Sequence, residues 1–180
     1  MRTGLGQRRR RCGRACSMST SFFPHAKPDI KALLEAVSSN PNDPTLSHQL
    51  NPAQWSVISG YMQPSMLAPG QVLITQGTED RTLFFVESGM LTVHFEDTAG
   101  KIRLATVGAG SVVGEGGFFS HLARSATVQA GSACKLWALT PMRFSELSNR
   151  QPPVALALAM ALGAIMAKRV VSNRRRIAVT

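Results

Sequence analysis

Residues 113–130 read VGEGGFFSHLARSATVQA, and the interpretation of the whole chain starts from them. The segment begins as the end of an apolar strand, breaks at Gly114 and returns to a strand after Arg124. Glycines let backbone N–H groups approach an anion closely, and one arginine can pair with a phosphate through two parallel hydrogen bonds. A carboxylate such as Glu115 repels phosphate but accepts hydrogen bonds from sugar hydroxyls. The segment therefore predicts a pocket for a ligand that carries both an anion and a hydroxyl, such as a nucleotide.

Short apolar runs separated by turn signals surround this segment. The predicted strands cover residues 64–68, 71–75, 82–88, 90–96, 102–107, 111–114, 126–130 and 133–139. Turn signals such as Pro69-Gly70, Ser88-Gly89 and Gly131-Ser132 lie between them. Closely spaced strands without intervening helices favour an antiparallel sandwich or barrel, because a doubly wound sheet needs longer helical crossovers.

Helices are predicted on both sides of the strands. Residues 28–39 place apolar side chains on one helical face, and residues 52–61 follow Asn51 and Pro52, a good N-cap and first helical residue. We expect these two helices to cap the strands, with a turn or linker at residues 40–44. Thr140-Pro141 starts a helix that leads into residues 142–147 and is broken by Gln151-Pro152-Pro153.

A longer helix is predicted over residues 153–172. Residues 154–167 contain no polar side chain, and they are shorter than the roughly 20 residues that a membrane span needs. Two apolar stripes run along this helix: Leu156, Met160, Gly163, Ala167 and Val170 in 4-3-4-3 spacing, and Leu158, Leu162 and Ile165 beside them. One stripe packing on the domain and one on a second copy would make a homodimer through helix 153–172. Complete burial within one chain and association with a membrane are the alternatives.

The charge of the chain is concentrated at its ends. The net charge is +10, residues 1–14 carry six arginines and residues 168–176 carry five basic residues. Between them, residues 15–167 hold nine basic and ten acidic residues. We therefore interpret the two basic runs as solvated tails, with contact to nucleic acid or an anionic membrane as the alternative.

Other residue patterns exclude several classes of protein. Three cysteines do not make a disulfide framework, and no apolar segment follows the basic N-terminus, so a cytoplasmic location is expected. The four histidines show no metal-ligand spacing, and no paired carboxylates or Ser/His/Asp set is present, so we predict neither a metal site nor an enzyme. Translation is expected to start at Met1 or Met18.

Two motifs resemble the cyclic nucleotide-binding domain of the catabolite activator (Crp/Fnr-like) type. Residues 73–89, LITQGTEDRTLFFVESG, are similar to the family's strand–glycine–turn–strand–glycine signature. Residues 113–130 are similar to its phosphate-binding cassette, with Gly-Glu and then Arg-Ser-Ala before a strand. The resemblance implies an eight-stranded antiparallel β-roll (jelly roll, or double-stranded β-helix) with N-terminal cap helices. It also implies a long C-terminal helix that lies over the nucleotide and forms the interface in dimeric members.

The resemblance assigns a role to each cassette residue. Glu115 would accept the ribose 2′-hydroxyl, Arg124 would pair with the cyclic phosphate, and Ser125 would add a hydrogen bond to phosphate or base. The residues expected to shape the cassette are Gly114, Gly116 and Gly117. Read without the family, Glu115 would be an N-terminal helix acid and Arg124 its ion-pair partner.

Three positions depart from the family pattern, and so does the end of the chain. Phe118 stands where a smaller aliphatic residue is usual, Ala123 precedes the arginine where many members have a more constrained residue, and His121 is expected to be an exposed loop residue. Transcription regulators of this family continue into a helix-turn-helix domain. No such sequence follows here before Thr180, so sequence-specific DNA binding is not predicted.

These expectations combine into one organisation and one function. We predict a disordered basic tail (1–27), a helical cap (28–62), a ligand-binding β-roll (63–150), a dimerisation and lid helix (151–173) and a second basic tail (174–180). The predicted function is a sensor that binds cAMP, with cGMP as second choice, and signals to an unnamed protein effector by moving its C-terminal helix. The alternative is a ligand-free scaffold that acts through homo- or hetero-association of that helix.

Overall fold

The computed structural model describes residues 29–41, 43–96 and 102–177. The predicted N-terminal tail, with Met18, lies outside the described residues, as does the predicted turn at residues 97–100. The helices are α1 (Lys31–Ser38), α2 (Thr45–Gln49), α3 (Pro52–Ser59), α4 (Glu115–Ser120), α5 (Pro141–Arg150) and α6 (Pro152–Ile177). The strands are β1 (Gln63–Leu67), β2 (Val72–Ile74), β3 (Leu83–Ser88), β4 (Met90–Glu96), β5 (Ile102–Gly108), β6 (Val112–Val113), β7 (Thr127–Ala130) and β8 (Cys134–Leu139).

The strands form two four-stranded antiparallel sheets. One has the order β1-β8-β3-β6 and the other β2-β7-β4-β5. Eight antiparallel strands, with helices before and after them and a long C-terminal helix, confirm the predicted β-roll.

The central strands of the first sheet, β8 and β3, are covered on both faces. Phe85 and Trp137 belong to the apolar cluster that includes the helices, whereas Phe84 and Leu136 belong to the cluster shared with the second sheet. β3 is consequently buried at five successive residues, which explains why the run LFFVE does not alternate between apolar and polar residues. A strand buried on both faces has no solvated side and so loses the alternation of apolar and polar residues.

The helical regions differ from the prediction at two places. α2 was not predicted, because five residues are too short to show a helical period, yet its Thr45 and Leu46 are buried. Gln151 separates α5 from α6, as predicted, but α6 continues to Ile177. The predicted end at residue 172 is therefore wrong, and residues 174–176 belong to the helix.

The two apolar stripes of α6 have different surroundings. Leu158, Leu162 and Ile165 are buried against the domain. The stripe in 4-3-4-3 spacing is exposed along its length: Leu156, Met160, Gly163, Ala167 and Val170. By length and composition, Pro152–Ser172 is the one helix among the described residues that could cross a membrane. A core helix of a soluble protein passes the same test, and the buried stripe identifies α6 as a helix that packs on its own domain.

Candidate functional site

A cavity of about 160 Å³ opens between β6, α4 and the second sheet. We call it the Glu115 cavity. All six residues predicted to bind ligand line it: Gly114, Glu115, Gly116, Gly117, Arg124 and Ser125. Apolar side chains such as Ile74, Val93 and Val128 complete its walls. The structure therefore brings the predicted residues together around one space, while their roles in binding stay predictions.

Gly114 sets the start of the cassette. It is the N-cap residue of α4, with φ of 90° in the left-handed region. A Cβ atom at this position would lie 2.7 Å from Arg124 Nη1 and 2.7 Å from the Thr82 carbonyl oxygen. Backbone conformation and close contact both require glycine here. The chain can thus turn from β6 into α4 directly beside the arginine.

Arg124 is held by a network that joins it to the loop before β3. Its side chain is buried, with 4% of the residue exposed. Nη1 donates to the Gly114 carbonyl at 2.9 Å, and Nη2 donates to Asp80 Oδ2 at 2.5 Å and to the Thr82 carbonyl at 2.6 Å. Nε is also buried, and it has no acceptor among the described residues. A buried donor without an acceptor costs about 1–3 kcal/mol, so an acceptor supplied by a ligand would be favourable.

Asp80 is the counterion of Arg124 and was not predicted as a site residue. It accepts hydrogen bonds from Thr82 N and Oγ1 at 3.2 and 2.8 Å in addition to that from Arg124. Burial by itself would raise the pKa of Asp80, but the hydrogen bonds from Arg124 and Thr82 outweigh it and lower this pKa below its usual value. Asp80 is therefore ionised at neutral pH and balances the charge of the buried guanidinium.

Glu115 is held by a residue of the C-terminal helix. It is the first residue of α4, and its Oε1 accepts a hydrogen bond from Arg169 Nη1 in an ion pair. Arg169 Nη2 also donates to the Val112 carbonyl at 2.8 Å. Arg169 lines the cavity, and its guanidinium is paired with the carboxylate that the resemblance assigns to ribose. The suggestion that Arg124 is the ion-pair partner of Glu115 is wrong, because each of the two has a different partner.

The first two residues of the basic run 168–176 have partners within the domain. Besides the Arg169 pair, Lys168 Nζ lies 3.4 Å from Asp43 Oδ1 and donates to Thr45 Oγ1. Lys168 thus ties α6 to the start of α2, while Arg169 ties it to α4. Charge counting alone did not reveal this, because both partners are distant in sequence.

The departures from the family pattern also have clear positions. Phe118 is buried, and its ring makes edge contacts with Phe119 and Phe144 at centroid distances of 5.2 and 5.3 Å. His121 is exposed, as expected, and has φ of 58° at the end of α4. It lines a second cavity instead of the Glu115 cavity. The described residues contain no group of three or more metal-ligating side chains.

Comparisons with known proteins agree with this geometry. The family model for the cyclic nucleotide-binding domain matches residues 65–151. The crystal structure of a cyclic nucleotide-binding domain from Methylobacillus flagellatus superposes with a TM-score of 0.71 at 21% identity, over 83% of this chain and 82% of that one. The catabolite activator protein of Thermus thermophilus superposes with a TM-score of 0.64 at 27% identity, over 76% of this chain and 62% of that one.

A curated relative shows the same similarity in sequence. The cAMP-activated global transcriptional regulator CRP of Escherichia coli is 33% identical over 100 residues, which are 54% of this chain and 46% of the relative. The chain spans less than half the length of the curated relatives it matches.

Residues 65–151 thus form a cyclic nucleotide-binding domain, as the two sequence motifs predicted. Its structural neighbours include catabolite activator proteins, and the Glu115 cavity lies within the matched residues except for Arg169.

Proposed function

We propose that the protein is a sensor that binds cAMP in the Glu115 cavity and responds by moving α6. The cyclic phosphate would lie beside Arg124 and accept from its buried Nε. Ser125 and the cassette glycines would line the phosphate, and Glu115 would accept the ribose 2′-hydroxyl. The choice of cAMP over cGMP follows the relatives that are named for cAMP, although one relative is named as a cGMP-dependent protein kinase.

The observation that carries the proposal is the ion pair between Glu115 and Arg169. In the structure, the carboxylate proposed for ribose pairs with a cation from α6. The cavity of about 160 Å³ is also smaller than the roughly 300–1,000 Å³ of typical ligand pockets. Arg169 must therefore leave Glu115 before a nucleotide can occupy the site fully.

Ligand and helix then compete for one carboxylate. The nucleotide favours the arrangement in which α6 has released Glu115, and the ion pair favours the arrangement described here. A ligand shifts such an equilibrium only by its difference in affinity for the two states. The ribose hydroxyl supplies that difference, because it binds Glu115 in one state only.

Calorimetric titration with cAMP and cGMP tests the proposal. We expect a binding heat for cAMP, a weaker one for cGMP, and no heat for cAMP with Arg124→Ala or Glu115→Ala. Circular dichroism identifies any variant that fails to fold, and Glu115 tolerates replacement better because its side chain lies at the cavity surface. The absence of heat with both nucleotides would refute the proposal.

We further propose that the exposed stripe of α6 forms a homodimer. Spacing of 4-3-4-3 is the heptad pattern by which two helices pack side by side. A Cβ atom at Gly163, in the middle of the stripe, would meet no atom within 4 Å, so a partner helix has room to approach closely. The stripe shares its helix with Arg169, and release of Glu115 would therefore reposition the dimer surface.

Sedimentation velocity separates this dimer from the scaffold alternative. We expect a dimer whose dissociation constant rises for Met160→Glu and changes when cAMP is added. A scaffold that does not use nucleotide gives the same association with and without cAMP, and with and without the Glu115→Ala change. A monomer at all concentrations would contradict the dimer and would leave the scaffold only hetero-association.

A further inference from the structure

A second cavity, of about 350 Å³, lies between α4 and α5. We call it the Arg81 cavity. Gly116 and Gly117 line the first cavity, whereas the next two residues, Phe118 and Phe119, line the second. Its volume falls in the range of small-molecule sites, which are mostly apolar with a few polar groups that orient the ligand.

The walls of the Arg81 cavity are aromatic. Phe118, Phe119 and Phe144 contribute their rings, and Pro141 at the start of α5 adds a further apolar surface. The edge contacts of Phe118 with both of its aromatic neighbours hold these rings in place. Flat apolar molecules pack well between fixed aromatic rings, since offset and edge contacts add to the burial of area.

Arg81 supplies a positive charge that has no counterion among the described residues. Its Nη2 donates to the Phe118 carbonyl at 2.9 Å and lies 3.0 Å from His121 Nε2. Its Nε is buried and has no acceptor among the described residues. Arg81 also forms no ion pair with a carboxylate of the residues that the structure describes. Asp80, the preceding residue, is used by Arg124.

The contact with His121 supplies no negative charge to balance Arg81. An arginine can only donate, so an imidazole ring can serve it only as a neutral acceptor. Within the described part of the chain, no carboxylate lines the cavity. A partly buried guanidinium that lacks a negative partner favours an anionic ligand, because a charge-assisted hydrogen bond is about twice as strong as a neutral one.

We propose that the Arg81 cavity is a second ligand site, which binds a small aromatic carboxylate. The rings of the ligand would lie among the three phenylalanines, and its carboxylate would accept from Arg81 Nε. The site shares no lining residue with the Glu115 cavity, so it does not depend on the proposed nucleotide function.

The test uses the full chain with 2-naphthoate as the probe and 2-naphthamide as its neutral analogue. Titration is followed by calorimetry and by the NMR shifts of the phenylalanine rings. We expect 2-naphthoate to bind at least about tenfold more tightly than 2-naphthamide, and to shift the rings of Phe119 and Phe144.

Three variants locate the binding. Arg81→Gln removes the cation and Ser145→Phe fills the rim of the cavity, and each should weaken 2-naphthoate binding at least about tenfold. Arg143→Gln is the matched control, because it removes a cation of α5 that pairs with Glu146 outside the cavity. It should bind 2-naphthoate as the unchanged chain does.

Several results would overturn the second site. These are no binding of 2-naphthoate, equal binding of the amide, or unchanged affinity in both Arg81→Gln and Ser145→Phe. Competition between 2-naphthoate and cAMP would also overturn it, because the probe would then occupy the Glu115 cavity. Because Ser145 is exposed, Ser145→Phe keeps the test decisive if Arg81→Gln does not fold.

Discussion

Replacing Arg169 by Met removes the cation that α6 places on Glu115, and it should tighten cAMP binding. The methionine keeps the apolar stem of the side chain but cannot donate to Glu115 or to the Val112 carbonyl. The nucleotide then no longer has to displace the ion pair. Its apparent affinity rises by the free energy that the pair contributed to the closed arrangement.

The size of the effect follows from burial. A hydrogen bond to a charged group contributes about 1.5–3 kcal/mol, whereas an exposed ion pair contributes about 0.2–1 kcal/mol. The Glu115 side chain is 14% exposed and that of Arg169 is 37% exposed, so the pair lies between these cases. We take about 1–2 kcal/mol, which corresponds to a Kd for cAMP about 5- to 30-fold lower in Arg169→Met.

Isothermal titration with cAMP measures this Kd, and Lys168→Met is the matched control. Lys168 is the adjacent cation of the same helix, and it pairs with Asp43 away from the cavity. Its replacement should leave the Kd within about twofold, since an exposed pair contributes little. An unchanged or higher Kd in Arg169→Met would refute the competition. Equal tightening by both variants would also refute it, because loosening of α6 would then be the cause.

Three further predictions concern stability and assembly. Arg124→Met leaves Asp80 and two carbonyls without their donor, and should lower the free energy of unfolding in urea by about 2–4 kcal/mol while abolishing the cAMP heat. Asp80→Asn should lower it by about 1 kcal/mol at pH 7, since half of this side chain is exposed. Because folding lowers the pKa of Asp80, its contribution is complete above the ordinary value of 3.8 and is lost as pH falls through the lower folded value. Urea titrations from pH 7 to 3 should therefore show a shrinking difference in the free energy of unfolding between the unchanged chain and Asp80→Asn. A difference that grows in acid would contradict this. Leu158→Ala should cost about 2–5 kcal/mol by opening a core cavity, whereas Leu156→Ala, 64% exposed, should leave the monomer within about 0.5 kcal/mol and weaken the dimer in sedimentation.

The strands could be predicted from the sequence almost to the residue. Each strand end lies within one residue of its prediction, because glycine and proline turn signals interrupt short apolar runs at regular intervals. The capped start of α3 was equally accessible, and Asn51 and Gln54 form a reciprocal capping box. Signals of this kind lie within a few residues of the structure that they specify.

The partners of the site residues could not be predicted in the same way. Asp80 and Arg124 are 44 residues apart, and Glu115 and Arg169 are 54 apart. Each pair depends on the path of the chain between its members, and neither contact has a local pattern. Arg169 in particular stood in a run of basic residues, where charge alone predicts solvent exposure. Only the direction of α6 across the domain shows that this arginine reaches the cassette.

Because Arg169 lies far along α6, a small rotation of the helix displaces its guanidinium by a large distance. Arg169 is 17 residues beyond Pro152, or about 25 Å along the axis at 1.5 Å per residue. Rotation of α6 by about 10° about its junction with α5 would move the guanidinium by about 4 Å, which is enough to break a hydrogen bond. Conversely, a displacement of Arg169 by about one hydrogen-bond length at the cassette would rotate α6 by only a small angle about its junction with α5. Gln151, the single residue between α5 and α6, would then be the hinge about which α6 tilts when a ligand occupies the cavity.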